Sequence, residues 1–256
     1  MVRLPEAAWQ AEKTGMKASI TMMNERFEND MDDDIVLGTD NLGKQVSSPE
    51  GRLTILDAVN LRVRAGESIA LVGPSGAGKT TLLALLAGLD RPTTGRVRLC
   101  GEDLTAMDED GRAQVRGRHV GFVFQSFHLV PSLTALENVM LPLELTGASA
   151  RDAAARARAA LVSVGLERRT THYPKQLSGG EKQRVAIARA FVTEPSILFA
   201  DEPTGNLDTA SGDRVADLLF RLNEKSNTTL VLVTHDRELA GRCNRIVELD
   251  AGRMLS

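Results

Sequence analysis

Cysteine is scarce: Cys100 and Cys243 are alone among 256 residues and lie too far apart to form a C-x-x-C pair. That excludes a disulfide framework and a zinc ribbon, and it fits a reduced compartment. A long hydrophobic run is missing as well. The longest notable apolar stretch, Leu82 to Leu89, is far short of the roughly 20 residues that cross a bilayer, so any membrane span is expected from another chain. The beginning of the chain lacks a basic segment leading into an apolar core and a small-residue cleavage site, and no secretory signal is expected. Charge of one sign is not in excess either. The formal net charge of -3 offers no electrostatic case for a nucleic-acid partner. With 42% apolar and 25% charged residues the composition is that of an ordinary globular protein, long enough for one large domain or two small ones.

Residues 1–33 show no sustained periodicity and end in the acidic run Glu28, Asp30, Asp32, Asp33 and Asp34. They are expected to be a disordered, solvated extension ahead of a folded domain over 34–256. Internal methionines at Met16, Met22, Met23 and Met31 also allow a later start of translation. From Ile35 to Arg64 and from Arg96 to Cys100, short β-type runs alternate with turn residues and predict an antiparallel flap. Ser68 to Val72 predicts a buried strand, followed by a glycine loop and a helix over Lys79 to Ala87 that stops at Gly88. A helical insertion is expected at about 126–190, including the Ala- and Arg-rich stretch Ala150 to Gly165. Its arginines, with no aromatics among them, read as a solvated face. Strands return at Ser196 to Ala200 and Thr229 to Thr234, separated by a helix near Gly212 to Asn223. This alternation predicts an α/β fold with a mostly parallel central sheet, and no solenoid repeat is evident.

Two glycine-rich turns each open a helix and aim N–H groups and a positive dipole end outward, the arrangement that takes phosphate. In GPSGAGKT, Gly73, Gly76 and Gly78 permit close backbone approach, with Pro74, Ser75 and Ala77 between them. Lys79 supplies a point charge, Thr80 offers a hydroxyl to Mg²⁺, and Thr81 continues the helix start. The second turn, LSGGE at Leu177, Ser178, Gly179, Gly180 and Glu181, has no lysine and reads as half of a site whose nucleotide is held elsewhere. Ser178 and Glu181 have capping-box spacing, which explains part of the string but not Gly179-Gly180. The apolar run Ile197 to Ala200 delivers Asp201 and Glu202 to a strand end, where open α/β sheets bind ligands. Asp201 is suited to hold Mg²⁺ through its water shell, and Glu202 to polarise an attacking water. Gln125 follows the apolar run Val120 to Phe124 and could ligate the metal or orient water. His235 follows Leu230 to Thr234, where its ring could hydrogen-bond a γ-phosphate and sense its loss.

With these residues in place the chain resembles ATP-binding subunits of ABC transporters, P-loop NTPases, across roughly Ile35 to Ser256. The resemblance assigns GPSGAGKT to the Walker A motif, Gln125 to the Q-loop, LSGGE to the signature, and ILFADE to the Walker B with Glu202 catalytic. It assigns Asn206, Leu207 and Asp208 to the D-loop and His235 to the H-loop. It implies ATP and Mg²⁺ as cofactors, a helical signature subdomain, and two subunits packed head to tail so that each signature covers the other's nucleotide. GFVFQSFHLVPSLTALENVMLP and LFADEPTGNLD are similar to the branch of lipoprotein-releasing ATPases, macrolide-exporter ATPase domains and cell-division FtsE proteins, and most like YbbA-type members. That branch implies a permease of the FtsX or macrolide-exporter type, docking near Gln125 and Phe127, His128, Leu129 and Val130. It also implies a peripheral position on the cytoplasmic side of the bacterial inner membrane. One departure is visible: Val46 stands where the family usually has an aromatic residue to stack on adenine.

The function expected is therefore an energy-coupling ATPase of an export or lipid-handling complex. A mechanotransmitting or regulatory ATPase that controls an envelope process without a cargo is the alternative. A soluble ATPase acting on DNA or ribosomes fits less well with the acidic balance and the single nucleotide-binding unit, so no nucleic-acid partner is expected. Cargo specificity would lie in the permease.

Overall fold

The runs SIALV, ILFAD and TLVLV are apolar almost throughout, the pattern of strands covered on both faces. A computed structural model describes residues 34–48 and 51–255; the extension expected over 1–33 lies outside them. The three runs form β4 (Ser68–Val72), β8 (Ile197–Asp201) and β9 (Thr229–Val233). With β7 (Val120–Phe124), β10 (Arg245–Asp250) and β11 (Arg253–Met254) they build a six-stranded sheet of order β11-β10-β4-β9-β8-β7. All neighbours in it pair in parallel except β10 and β11.

Successive residues of β8 show how the sheet is covered. Ile197 and Phe199 belong to one buried cluster, and Leu198 and Ala200 to another, as the two-residue period of a strand requires. The first cluster takes in α1 (Lys79–Leu86) through Leu82, Leu85 and Leu86. It also takes in the flap, a second sheet of β1 (Ile35–Ser48), β2 (Gly51–Val59), β3 (Arg62–Arg64), β5 (Thr94–Leu99) and β6 (Glu102–Asp103). Its pairings β1 with β2, β1 with β5 and β5 with β6 are antiparallel, as expected of the flap.

The second cluster receives α3 (Ala135–Leu145), α4 (Ala150–Ser163), α5 (Gly179–Phe191) and α6 (Thr209–Ser226). The first three fall within the expected helical insertion. Each of the four begins on a Ser, Thr or Asp whose side chain accepts a backbone N–H of the first turn, and α6 ends at Asn227 in the left-handed region. Two helices had no expectation attached, nor did strands β6, β10 and β11. The charged α2 (Glu109–His119) buries only Arg112 and Val115, so it carries no apolar stripe for periodicity to reveal. The short α7 (Arg237–Ala240) follows β9, capped by Asp236.

Candidate active site

Strand register assembles the site. Phe124 pairs with Asp201, Asp201 with Val233, and Val233 with Leu71, so the C-terminal ends of β7, β8, β9 and β4 stand level. Gln125, Glu202, His235 and the Gly73–Thr80 loop therefore leave the same sheet edge from four laterally adjacent strands. The sequence placed each of these residues after a strand, and the pairing brings them together.

The loop between β4 and α1 is tight. A β-carbon on Gly73 would come within 2.0 Å of the Leu249 carbonyl oxygen, so only glycine lets β10 pass this closely. Gly78 caps α1 with φ +97° and no side-chain hydrogen bond. The first-turn N–H groups of α1, unlike those of the other long helices, thus have no side-chain acceptor, which is what an anion site requires. Lys79 Nζ donates to the carbonyl oxygens of Gly73 and Pro74 at 2.8 and 2.9 Å. These bonds hold the ammonium over its own loop.

Asp201 ends β8 half-buried. Burial raises its carboxyl above the usual carboxylate range, and the adjacent Glu202 charge adds to this, while a hydrogen bond from the Thr80 side chain and the charge of Lys79 oppose it. A bound cation would offset that cost. Among the described residues no group of three or more His, Cys, Asp or Glu could hold a metal ion. The donors present, the Thr80 hydroxyl and the Asp201 carboxylate, match Mg²⁺, which keeps waters and takes oxygens from substrate phosphates. Glu202 lies in the left-handed region with φ +46°, a strained backbone for a residue other than glycine. Its amide donates to the Val233 carbonyl at 2.9 Å, which anchors the turn to β9. His235 Nδ1 lies 2.9 Å from Glu202 Oε1, with the histidine largely exposed and the glutamate largely covered. Gln125, at the end of β7, contacts Asn206: Gln125 Nε2 donates to Asn206 Oδ1 at 3.3 Å, and Asn206 Nδ2 donates to the Gln125 carbonyl at 3.0 Å.

The helix start at LSGGE is built differently. Ser178 Oγ accepts from the Glu181 amide at 3.2 Å, and the Glu181 carboxylate accepts from the Ser178 amide at 2.9 Å. Arg169 Nε donates to the same carboxylate at 2.9 Å. The arginine foremost, then the Ser178 amide, holds that carboxyl below its usual value. The two glycines also have a packing role that the sequence did not reveal: a β-carbon on Gly179 would lie 3.2 Å from Leu207 Cδ2, and one on Gly180 3.5 Å from Ser211 Cβ. Asp208 meanwhile caps α6 through the Ser211 amide. The turn thus sits against the Asn206–Asp208 loop. Further along the same helix Gln183 reaches the Phe124 carbonyl at the end of β7, and β7 stands three strand positions from β4, a lateral offset on the order of 14 Å at about 4.8 Å per strand.

Three supporting side chains were missed, since each bonds backbone groups outside its own helix that no local pattern marks. Gln183 of α5, fully buried, donates to the carbonyls of Pro203 and Phe124 at 2.6 and 3.3 Å. Asn138 of α3, equally buried, accepts from the Val130 amide at 2.7 Å and donates to the carbonyls of Val130, Leu133 and Thr134. Arg189 of α5 donates to the carbonyls of Phe127 and His128 at 2.9 and 2.6 Å, two residues with positive φ. Beside them opens a cleft of about 990 Å³, lined by Phe122, Phe124, His128, Leu141, Leu145 and Arg189 among others. His128 stacks on Phe124 at 4.6 Å between ring centroids. Of the run Phe127 to Val130 only His128 lines this cleft; Leu129 packs against the core and Val130 is fastened to Asn138. On the flap, Val46 pairs across the strands with Leu53, and both are exposed, 39% and 54%. β2 leads from Leu53 to the Gly73–Thr80 loop, where a β-carbon on Gly78 would meet the Ile55 carbonyl at 3.0 Å.

Residues 56–205 match the family described as ABC transporter. The chain is 56% identical to the uncharacterized ABC transporter ATP-binding protein YbbA of Escherichia coli (strain K12), over 84% of this chain and 94% of that protein. It is 49% identical to the lipoprotein-releasing system ATP-binding protein LolD of Legionella pneumophila (strain Paris), over 86% of this chain and 97% of LolD. Among solved structures, the ATP-binding cassette MJ0796, in a dimeric post-hydrolysis state bound to ADP and Pi, superposes with a TM-score of 0.80 at 41% identity. That match covers 86% of this chain and 97% of MJ0796.

Proposed function

Because this chain belongs to the ABC transporter family and is an ATP-binding, ATP-hydrolysing subunit within it, we propose that it works as a nucleotide-sandwich homodimer on a separate membrane permease. The permease is of the FtsX or macrolide-exporter type, the seat is the cytoplasmic side of a bacterial inner membrane, and the task is export or lipid handling. One observation carries the shared-site reading. The sheet edge supplies a phosphate loop, an acidic pair, a histidine and a glutamine, while the second phosphate-type turn opens α5, whose Gln183 is fastened at the end of β7, three strand positions from the β4 that carries the first. A single triphosphate held by Lys79 does not reach Gly179 in the same chain, whereas a second copy turned head to tail can supply it. The dimeric, ADP- and Pi-bound state of MJ0796 supports this arrangement, as the LolD relative's lipoprotein-releasing system supports lipid handling.

The roles follow from position. Gly73 to Thr81 enclose the phosphates with backbone N–H groups, and Lys79 gives up its two loop carbonyls to neutralise phosphate oxygens. When bound, Mg²⁺ would neutralise charge developing on the phosphates, and Thr80, Asp201 and Gln125 are the residues that would hold it or its waters. Glu202 takes the proton from the attacking water, its carboxylate fixed by the turn at φ +46° and by His235. His235, exposed toward the edge, is placed to reach the γ-phosphate from the neighbouring strand. Ser178 to Glu181 complete the partner's site, and Asn206, Leu207 and Asp208 back that turn.

Ser178→Arg tests the sandwich. The larger side chain fills the space a partner's phosphate needs and removes the hydroxyl that caps α5, so ATP binding to the isolated chain is expected to stay within a few-fold of the parent while hydrolysis and ATP-driven dimerisation are lost. Nucleotide titration, steady-state turnover and sizing with Mg²⁺-ATP measure the three. A monomeric variant with parental turnover would refute the sharing of sites.

The Val46–Leu53 pair offers aliphatic surface where a purine would rest, and no aromatic face. Base–aromatic stacking contributes about 1–3 kcal/mol, so Val46→Tyr is expected to tighten binding of ATP and GTP alike by about 5-fold or more. Calorimetric titration of both nucleotides is the check, and unchanged affinities would take this pair out of the base site.

The cleft beside β7 is the seat proposed for the permease. Apolar and aromatic side chains line it together with polar ones, Arg189, His128, Arg118 and Asp110 among them, and through Phe124 it borders the strand end that leads into Gln125. None of the described helices is long and apolar enough to cross a membrane; the permease would supply the span.

A further inference from the structure

Gln125 and Asn206, 81 residues apart, exchange hydrogen bonds in both directions. Their chemistry leaves only one arrangement. The Gln125 backbone carbonyl can only accept, so it takes Asn206 Nδ2 and turns Asn206 Oδ1 toward the Gln125 side chain. An amide oxygen can only accept in its turn, so it selects the Gln125 nitrogen. The end of the Gln125 side chain left free is therefore its oxygen, the atom able to ligate a cation or accept a hydrogen bond from water.

The surroundings keep this contact in place. Buried Gln183 binds the carbonyls of Phe124 and Pro203, so the roots of both loops are fastened to one helix. A β-carbon on Gly205 would lie 2.8 Å from Gln125 Nε2 and 3.2 Å from Cδ, so the amide lies against Gly205. The Gly205 amide donates to the Glu202 carbonyl at 3.0 Å, which continues the connection to the acidic pair.

We propose that Asn206 is a positioning residue for hydrolysis: it sets the amide of Gln125 with nitrogen toward the Asn206–Asp208 loop and oxygen toward the nucleotide. This rests on the reading of Gln125 as a residue of the nucleotide site. Without Asn206 the amide turns freely and presents nitrogen as often as oxygen.

A double-mutant cycle on the full chain tests it. Asn206→Ala is expected to lower kcat for Mg²⁺-ATP about 3- to 10-fold, the range of one or two modest hydrogen bonds, with KM within 2-fold of the parent. In a Gln125→Ala background the same substitution is expected to have no further effect. Gly205→Ala, which crowds the Gln125 amide while Asn206 remains, is expected to lower kcat similarly and to be silent in the same background. A readout independent of turnover is the side-chain amide NMR signal of the nucleotide-free chain. The Gln125 pair, assigned by its loss in Gln125→Ala, is expected to shift to solvent-exposed values in Asn206→Ala. Equal losses with and without Gln125, or an unmoved amide signal, would overturn the positioning role alone. Full turnover in Gln125→Ala would remove Gln125 from the site, and the proposal with it.

Discussion

Glu202→Gln is expected to reduce ATP hydrolysis by about 10²- to 10⁴-fold, the usual contribution of a general base, while ATP binding survives. The substitution keeps the size of the side chain and leaves the turn at φ +46° in place, but an amide cannot accept the proton of the attacking water. It also changes the partner of His235 Nδ1, now 2.9 Å from a carboxylate oxygen. With nucleotide bound and no turnover, the closed dimer should accumulate, because a ligand that binds only the closed state favours it by mass action. Sizing the purified variant with and without Mg²⁺-ATP, with the permease present if isolated subunits associate weakly, reads this directly. Parental turnover would exclude Glu202 as the base, and an ATP-saturated monomer would count against the sandwich.

Lys79→Ala is expected to weaken ATP binding by about 10²-fold or more, beyond ordinary detection. Hydrogen bonds to charged groups contribute about 1.5–3 kcal/mol each, and the ammonium that now holds Gly73 and Pro74 is the loop's only lysine. The loss should fall on binding and not on the fold, since the Lys79 bonds are local while α1 is anchored by Leu82, Leu85 and Leu86. Titration with Mg²⁺-ATP alongside a thermal melt separates the two. Unchanged affinity would take Lys79 out of the site.

What could be read from the sequence was what is written within a few consecutive residues. GPSGAGKT carries its turn, its charge and its helix start in one string, and ILFAD carries a buried strand and its acidic end. The lateral order of the site depends on pairings such as Ala200 with Leu232 and Leu71 with Val233, which no local pattern encodes. Gln183 and Asn138 escaped notice because a polar side chain inside a helix looks solvated until its carbonyl partners, up to 59 residues away, are known. Arg189 escaped for the same reason. Helix α2 was invisible because its stability comes from Arg112 and Glu109 and from the carbonyls of Gly88 and Met107, not from an apolar face. LSGGE was legible as a helix start, but Leu207 against Gly179 gave its glycines a second reason that spacing alone could not.

Arg189 has a consequence beyond holding a loop. Its guanidinium grips the left-handed pair Phe127 and His128 from a helix whose other end is Ser178 to Glu181, so the wall of the cleft and the turn proposed for the second copy lie at opposite ends of one helix. In the proposed head-to-tail pair the Ser178–Glu181 end of that helix would face the other subunit's nucleotide. If a membrane partner seats in the cleft and the second copy takes the turn, as proposed, what binds one subunit would be felt first by the nucleotide bound to the other, and the wiring between membrane partner and fuel would be crossed. Two permease halves would then have to act together for either ATP to respond fully, and the dimer, not the subunit, would be the smallest unit able to couple the two events.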